Sequence, residues 1–117
     1  MNQTLNSQIP FSCQIGAGTI IDHPYGIILH PATIIGNSCI LRQQVTIGNK
    51  GTPNSGAPII GNHVNIGAGA KLIGPISVGD NTMIGANAVV TKSFEAGAVL
   101  VGVPAKNIHK KSEQINV

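Results

Sequence analysis

The stretch IGNHVNIGAGAKLIGPISVGDNTMIGANAV, residues 60–89, carries a repeat with a period of six residues. An aliphatic residue opens every block of six, at Ile60, Ile66, Leu72, Val78 and Ile84. A compact or aliphatic residue follows four positions later, at Val64, Ala70, Ile76, Thr82 and Ala88. This period matches neither the 3.6-residue period of a helix nor the two-residue alternation of an isolated strand. The repeat therefore predicts the fold before any local propensity does.

Three short strands with their corners, six residues each, make a triangular coil of about eighteen residues, which is the geometry of a parallel β-helix. We predict an all-β, single-stranded solenoid whose first and fifth residues in each block point inward and stack in columns. The same register extends back to Ile9 and forward to Phe94. The predicted organisation is a lead-in at 1–8, a β-helix of roughly four to five coils at 9–94, and a C-terminal segment and tail at 95–117.

Two breaks interrupt the register. After Ile21 it slips by two residues, which we assign to 26–28, and this assignment puts Tyr25 in an inward position. The second break is the stretch NKGTPNSGAP, residues 49–58, whose glycine, proline, asparagine and serine content predicts a protruding loop. Long loops in compact domains are usually functional or disordered, so both breaks are candidate positions for a site.

Composition narrows the possible functions. Only 9% of the residues are charged and 3% are aromatic, so the core must be aliphatic and part of the surface is expected to face another subunit. The net charge of +3, with Lys106, Lys110 and Lys111 grouped late, is too weak and local for a nucleic-acid interface and better suits an anionic cofactor. No apolar run is long enough to span a membrane and no signal peptide is recognisable, so we expect a cytoplasmic protein. Cys13 and Cys39 fall in inward positions and are expected to be reduced core thiols.

Five sequence pieces, taken in order, resemble the hexapeptide-repeat acyltransferases and most of all their serine acetyltransferase-like subfamily. These pieces are IGAGTIIDH, GIIL with its two-residue insertion, ILRQQVTIG, PIIGNHVNIGAGAKLIG and VGVPAK, and they cover about residues 9–108. The resemblance implies a left-handed parallel β-helix, a homotrimer with intersubunit active sites, acetyl-CoA as acyl donor, no metal, and one histidine as general base.

There are three candidate catalytic residues: the resemblance implies His23 and Asp22, and His30 is added because it is the other histidine near the first register break. His23, in IDHPYG, matches the family's catalytic histidine, and it takes an outward position in its block; histidine is the side chain most often used as a general base near neutral pH. Asp22 would contact the acceptor or orient a neighbour, and His30, in ILHPA, is a possible second active-site group. Each could instead be a surface or turn residue.

The acyl donor is expected to contact backbone more than side chains. The resemblance implies that the pantetheine arm pairs with main-chain groups at Ala68 and Ala86, with a third backbone contact at Asn49. Lys92 and Lys106 are the candidate partners of the CoA phosphates, and Lys106 belongs to the VPAK motif of the cofactor-contacting segment at 95–117.

The sequence departs from the serine enzymes at two positions. Gln8 stands where they have the aspartate that partners the histidine, and Ala57 stands where they have a second active-site histidine. The chain also begins almost at the first coil, so we expect no N-terminal helical domain. For these reasons the predicted function is O-acetylation of a sugar or glycan precursor of the polysaccharide type.

Three alternatives stay open beside that prediction. The first is serine O-acetylation in cysteine biosynthesis. The second is a metal enzyme like the γ-class carbonic anhydrases, with His23, His30 and His63 as the histidines available to zinc. The third is an inactive trimeric scaffold.

Overall fold

The computed structural model describes residues 7–51 and 55–109, and within these residues the regular structure consists of short strands. The predicted lead-in up to residue 6, the centre of the loop at 52–54 and the tail from residue 110, with Lys110 and Lys111, lie outside the described residues. In chain order the strands are β1 Gln14–Ile15, β2 Ile20–Ile21, β3 Ile28–Leu29, β4 Ile34–Ile35, β5 Ile40–Leu41, β6 Thr46–Gly48, β7 Ile59–Ile60, β8 Asn65–Ile66, β9 Lys71–Ile73, β10 Ser77–Val78, β11 Met83–Ile84, β12 Val89–Val90, β13 Val99–Val101 and β14 Lys106–Asn107.

The strands form three parallel sheets that make the three sides of a triangular prism. The first sheet contains β1, β4, β7 and β10, the second β2, β5, β8, β11 and β13 with β14 at its edge, and the third β3, β6, β9 and β12. Each strand pairs with the equivalent strand one coil later, as Asn65 pairs with Met83 and Lys71 with Val89, eighteen residues apart. Since every strand moves to the next side after one corner, the six-residue period of the sequence becomes a parallel β-helix.

The core consists of the two predicted sets of inward side chains, the first and the fifth residues of the blocks, stacked in columns on the three sides of the prism. The first residue of each block from β3 to β12 is buried, at Leu29, Ile35, Leu41, Ile47, Ile60, Ile66, Leu72, Val78, Ile84 and Val90. The fifth residue is also buried, at Thr33, Cys39, Val45, Val64, Ala70, Ile76, Thr82 and Ala88. The first coil is less well covered than the others: its inward residues Ile9, Cys13 and Ile21 pack against this core but are only partly buried.

The prediction for Tyr25 is wrong. Tyr25 is 51% exposed, and Ile27, which has no exposed surface, occupies the inward position instead. The pairing of Ile28 with Thr46 puts Ile27 level with Val45, so the two extra residues lie in the corner before Ile27 and not at 26–28. A phenol in that position would bury a hydroxyl in an aliphatic column, whereas an isoleucine fills the space without a polar atom.

A ladder of side-chain hydrogen bonds ties successive coils together at the corner between the first and second sheets. Asn37 Oδ1 accepts a hydrogen bond of 2.9 Å from the amide of Ala17, and Asn62 Oδ1 accepts one of 2.8 Å from the amide of Asn37. Asp80 Oδ1 accepts another of 2.8 Å from the amide of Asn62. These oxygens satisfy corner amides that have no strand partner.

The stacking continues beyond Phe94. Strand β13 pairs with β11, so that Leu100 lies level with Ile84 and is fully buried. Strand β14 then returns antiparallel along β13, with Lys106 opposite Val101. The C-terminal segment therefore covers one end of the prism. Among the described residues, no helix is long and apolar enough to cross a membrane.

Candidate active site

One edge of the prism, where the second sheet turns into the third, carries several of the predicted site residues. Its turns are residues 22–27, 42–45, 67–70 and 85–88, which we call the His23 edge. Successive turns are joined by backbone hydrogen bonds, among them Gln44 N to Tyr25 O at 2.7 Å and Asn87 N to Ala68 O at 2.9 Å. Because neighbouring coils are about 4.8 Å apart, Ala68 lies roughly 10 Å along the edge from the turn that carries His23.

The two-residue insertion projects His23 from this edge. Most turns of the edge have one residue in the left-handed region, such as Gln44 with φ 60° or Gly69 with φ 74°, whereas the first turn has two, His23 with φ 56° and Gly26 with φ 67°. The amide of Tyr25 donates to the carbonyl of His23 at 2.7 Å, which closes a tight turn around the inserted residues. Six non-glycine residues of the described chain adopt positive φ at corners, among them Gln44 and His63, so the φ of His23 is the ordinary geometry of a corner in this fold.

A chain of three charged or titratable groups lies at the start of the edge. His23 Nε2 is 3.6 Å from Asp22 Oδ1, and the other carboxylate oxygen, Asp22 Oδ2, is 3.2 Å from a terminal nitrogen of Arg42. The side chains are 66% exposed for His23, 45% for Asp22 and 37% for Arg42. One carboxylate thus contacts both neighbours while all three groups remain accessible to a ligand.

The predicted cofactor contacts Ala68 and Ala86 lie further along the same edge. Ala68 is half-buried and Ala86 is exposed, and within the described residues neither backbone amide donates a hydrogen bond. The preceding residues are Gly67 and Gly85, and a Cβ atom on Gly67 would lie 2.6 Å from the amide nitrogen of Ala86. The turns are therefore packed closely, with small side chains and unpaired amides along the outside.

Three other predicted site residues lie on the neighbouring edge, where the third sheet turns into the first. His30, Asn49 and Lys92 lie in separate turns there, at 30–33, 49–58 and 91–93, and the turn at 74–76 lies between the last two. Lys92 Nζ lies 5.9 Å from the centroid of the Phe94 ring, in cation–π geometry. Lys106 is exposed on β14, past the last turn of the His23 edge. Within this chain the candidates thus form two groups separated by the width of the third sheet.

His30 is held by its own turn. Its Nδ1 accepts a hydrogen bond of 3.0 Å from the amide of Ala32. The lone pair on Nδ1 is then in use, so the neutral ring carries its proton on Nε2. In this arrangement His30 can donate a hydrogen bond to a ligand, but it does not offer a second proton acceptor.

The structure separates the three histidines that the metal-enzyme alternative requires. His23, His30 and His63 lie at three different corners of the prism. Among the described residues of this chain, no group of three His, Cys, Asp or Glu side chains is arranged to hold a metal ion.

The sequence reasoning missed Arg42. It lies directly above Asp22 on the next coil, because the strands before both residues pair Ile21 with Leu41. The signal that identifies Arg42 is its spacing of twenty residues from Asp22, which is one coil of eighteen residues plus the two inserted residues.

Comparisons with known proteins agree with this architecture. Residues 57–92 match the family described as bacterial transferase hexapeptide (six repeats). The repeat and the structural neighbours define a left-handed parallel β-helix of the hexapeptide-repeat class, as predicted.

Within that class, serine acetyltransferases are among the similar proteins. The chain is 43% identical over 98 residues to the enzyme of Helicobacter pylori strain J99, which covers 83% of this chain and 57% of that protein. It is 34% identical over 104 residues to that of Synechococcus elongatus, covering 88% and 43%. A crystal structure of the Neisseria gonorrhoeae serine acetyltransferase in complex with serine aligns with a TM-score of 0.80 at 33% identity, over 84% of this chain and 40% of that one. The predicted resemblance to the serine acetyltransferase-like group is confirmed.

These comparisons overturn the prediction of a sugar or glycan acceptor in polysaccharide synthesis, which is wrong. That prediction rested on Gln8 in place of the aspartate partner of the base, on Ala57 in place of a second active-site histidine, and on the expected lack of an N-terminal helical domain. None of these three differences identifies the hydroxyl that is acetylated. The chain spans about half the length of the relatives it matches, or less.

Proposed function

We propose that this chain is the catalytic β-helix of a serine O-acetyltransferase that uses acetyl-CoA as acyl donor. The observation that carries the proposal is the similarity to serine acetyltransferases over more than four-fifths of the chain, through both of its register breaks. The His23 edge adds independent support, because it has an accessible histidine at one end and unpaired amides along the rest.

In the proposed reaction His23 Nε2 removes the proton from the serine hydroxyl as the oxygen attacks the thioester carbonyl of acetyl-CoA. The tetrahedral intermediate then collapses, the C–S bond breaks, and the CoA thiolate leaves and takes up the proton. The products are O-acetylserine and CoA. General-base assistance of this kind contributes roughly 10²- to 10⁴-fold to a rate.

Asp22 is proposed to support His23 and to contact the acceptor. In the serine enzymes the base has a carboxylate partner at the position that Gln8 occupies here, and Gln8 is instead paired with Ile28 at the edge of the third sheet. Asp22 Oδ1 lies 3.6 Å from His23 Nε2, so its negative charge favours the imidazolium formed during the reaction, although it faces the reacting nitrogen and does not fix the ring tautomer.

The acyl donor is proposed to run along the His23 edge toward His23. The free amides of Ala68 and Ala86 suit the carbonyl and amide groups of a pantetheine arm, and their methyl side chains permit close approach. Lys106 and Lys92 would pair with the phosphates, Asn49 would supply a further backbone contact, and His30 would donate from Nε2. These two groups of residues would meet only between subunits.

We therefore also propose a homotrimer with active sites between subunits. The second sheet carries outward side chains that are half exposed in the single chain, such as Ile20 at 57% and Met83 at 54%. Apolar surface of this kind favours association. A cytoplasmic location remains part of the proposal.

A matched pair of histidine variants tests the proposal. His23 and His63 are both exposed corner residues with nearly equal φ, 56° and 57°, and asparagine suits that conformation, as at Asn81 with φ 60°. CoA release is measured with a thiol reagent in the presence of serine and acetyl-CoA. We expect His23→Asn to lower kcat roughly 10²- to 10⁴-fold and His63→Asn to retain the wild-type rate.

Two results count against the proposal. If the wild-type protein releases CoA no faster with serine than without it, serine is not the acceptor. If His23→Asn and His63→Asn have equal rates, His23 is not the base.

A further inference from the structure

The first two coils of the His23 edge hold a pair of opposite charges at the place where an acceptor would meet the base. Asp22 and Arg42 lie level on adjacent coils, and Asp22 Oδ2 is 3.2 Å from the Arg42 guanidinium. The hydrogen bond of that length engages one terminal nitrogen of Arg42. A guanidinium has five N–H donors in a planar fork, so most of its donors remain available to a ligand.

Arg42 also has a particular place in the order of groups along the edge. His23 is on the first coil, Arg42 on the second, and Ala68 on the third. If the acyl donor lies along Ala86 and Ala68, its thioester end points toward the second coil. An acceptor between the thioester and His23 is then within one coil spacing, about 4.8 Å, of Arg42.

We infer that Arg42 is a specificity-determining residue that binds the α-carboxylate of the acceptor. This inference rests on the proposed function, in which the acceptor is an amino acid and carries a carboxylate at neutral pH. A guanidinium binds a carboxylate through two parallel N–H···O bonds, which fixes orientation as well as adding affinity. Such a contact would hold the serine hydroxyl toward His23 and select acceptors with a free carboxylate.

A purely structural role for Arg42 makes a different prediction. If Arg42 only holds Asp22 in position, its loss affects every acceptor equally, since Asp22 and His23 serve all of them. If Arg42 binds the carboxylate, its loss affects only acceptors that have one. Comparison of L-serine with L-serinamide, which keeps the amine and the hydroxyl but lacks the carboxylate, separates the two roles.

The experiment measures kcat and KM for L-serine and for L-serinamide with saturating acetyl-CoA in wild type, Arg42→Gln and Lys71→Gln. Lys71 is a matched control, because it is an exposed cation one coil further on, with Nζ 3.1 Å from the carbonyl of Gly69. Hydrogen bonds between charged groups contribute strongly to binding free energy, so we expect Arg42→Gln to raise the KM for serine roughly ten- to a hundredfold. Its kcat should change little, because the contact is made equally before and during reaction.

For serinamide, wild type and Arg42→Gln should have the same kcat/KM, and Lys71→Gln should leave the preference for serine over serinamide unchanged. Arg42→Lys should restore only part of the preference, since a lysine lacks the planar fork. Thermal melts establish that the variants are folded.

The inference is overturned if Arg42→Gln lowers kcat/KM for both acceptors by the same factor, or if Lys71→Gln reduces the preference as much as Arg42→Gln does. A wild-type protein that acetylates neither compound would instead contradict the proposed function itself, so the two failures are distinguishable.

Discussion

The substitution Gly67→Ala tests the packing of the His23 edge. An added Cβ would lie 2.6 Å from Ala86 N, 2.8 Å from Gly85 C and 2.9 Å from Ile84 O. The favourable separation of such atoms is about 3.5 Å or more, so the two coils must move apart by close to 1 Å. All three contacts are backbone atoms, and the hydrogen bond of 2.8 Å from Gly67 N to Ile84 O holds them in place.

Overpacking of this kind costs about 1–3 kcal/mol. For a chain of this size we expect the melting temperature to fall by roughly 5–10 °C. The same displacement changes the spacing of the amides of Ala68 and Ala86, so the KM for acetyl-CoA should rise more than the KM for serine.

Gly48→Ala is the control for Gly67→Ala. The nearest atom to its added Cβ is Ile73 Cδ1 at 3.8 Å, an ordinary contact, and its φ is not in the left-handed region. This substitution should leave the free energy of unfolding unchanged or raise it by about 0.4–1 kcal/mol, because alanine lowers the conformational entropy of the unfolded chain. Circular dichroism melts of both variants at one protein concentration provide the comparison, because assembly makes melting concentration-dependent. Equal melting temperatures for the two variants would refute the reasoning.

Three further predictions concern the prism. Leu72→Ala, at a fully buried position in the central coils, should lower the free energy of unfolding in urea by about 2–5 kcal/mol, whereas Lys71→Ala beside it should lower it by less than about 1 kcal/mol. Equal losses for the two variants would contradict the inward position of Leu72. Asn62→Ala removes the oxygen that accepts from the amide of Asn37 and should cost about 1 kcal/mol, with faster hydrogen exchange of that amide; unchanged exchange would contradict the ladder. Burial raises the pKa of the Cys13 thiol, so its reaction with a disulfide reagent at pH 8 should be slower in the native protein than in urea and should accelerate as pH rises; equal native and unfolded rates would contradict this.

The central part of the fold could be predicted from the sequence because its side chains obey one geometric rule. Every sixth residue returns to an equivalent position on the next side of the prism, so the aliphatic at Leu72 lies between Ile47 and Val90 in one column. A substitution that broke the period would put a polar group in the core, which is costly. The regular spacing therefore predicts which residues are buried, even when the residues they pack against are not known.

The corners could not be predicted as well, because extra residues in a corner leave the columns intact on either side. The period locates the insertion after Ile21, but both Tyr25 and Ile27 are apolar and either could fill the inward position. The choice depends on volume and on the phenolic hydroxyl inside a column bounded by Val45, and those are properties of the packed structure. Arg42 is a different case, because both assignments of the inserted residues put Leu41 above Ile21 and therefore Arg42 above Asp22.

The acceptor was mispredicted for a related reason. Gln8 and Ala57 each differ from the residue that the serine enzymes have at that position, and single-position differences of this kind argue against serine only if nothing nearby replaces the missing group. A site is defined by the groups that converge on it, and a carboxylate or a cation can be supplied from another coil. Here Arg42, twenty residues along the chain, brings a positive charge from the next coil to Asp22, the neighbour of His23. Missing residues in a solenoid are therefore weak evidence about a substrate until the neighbouring coils have been examined for replacements.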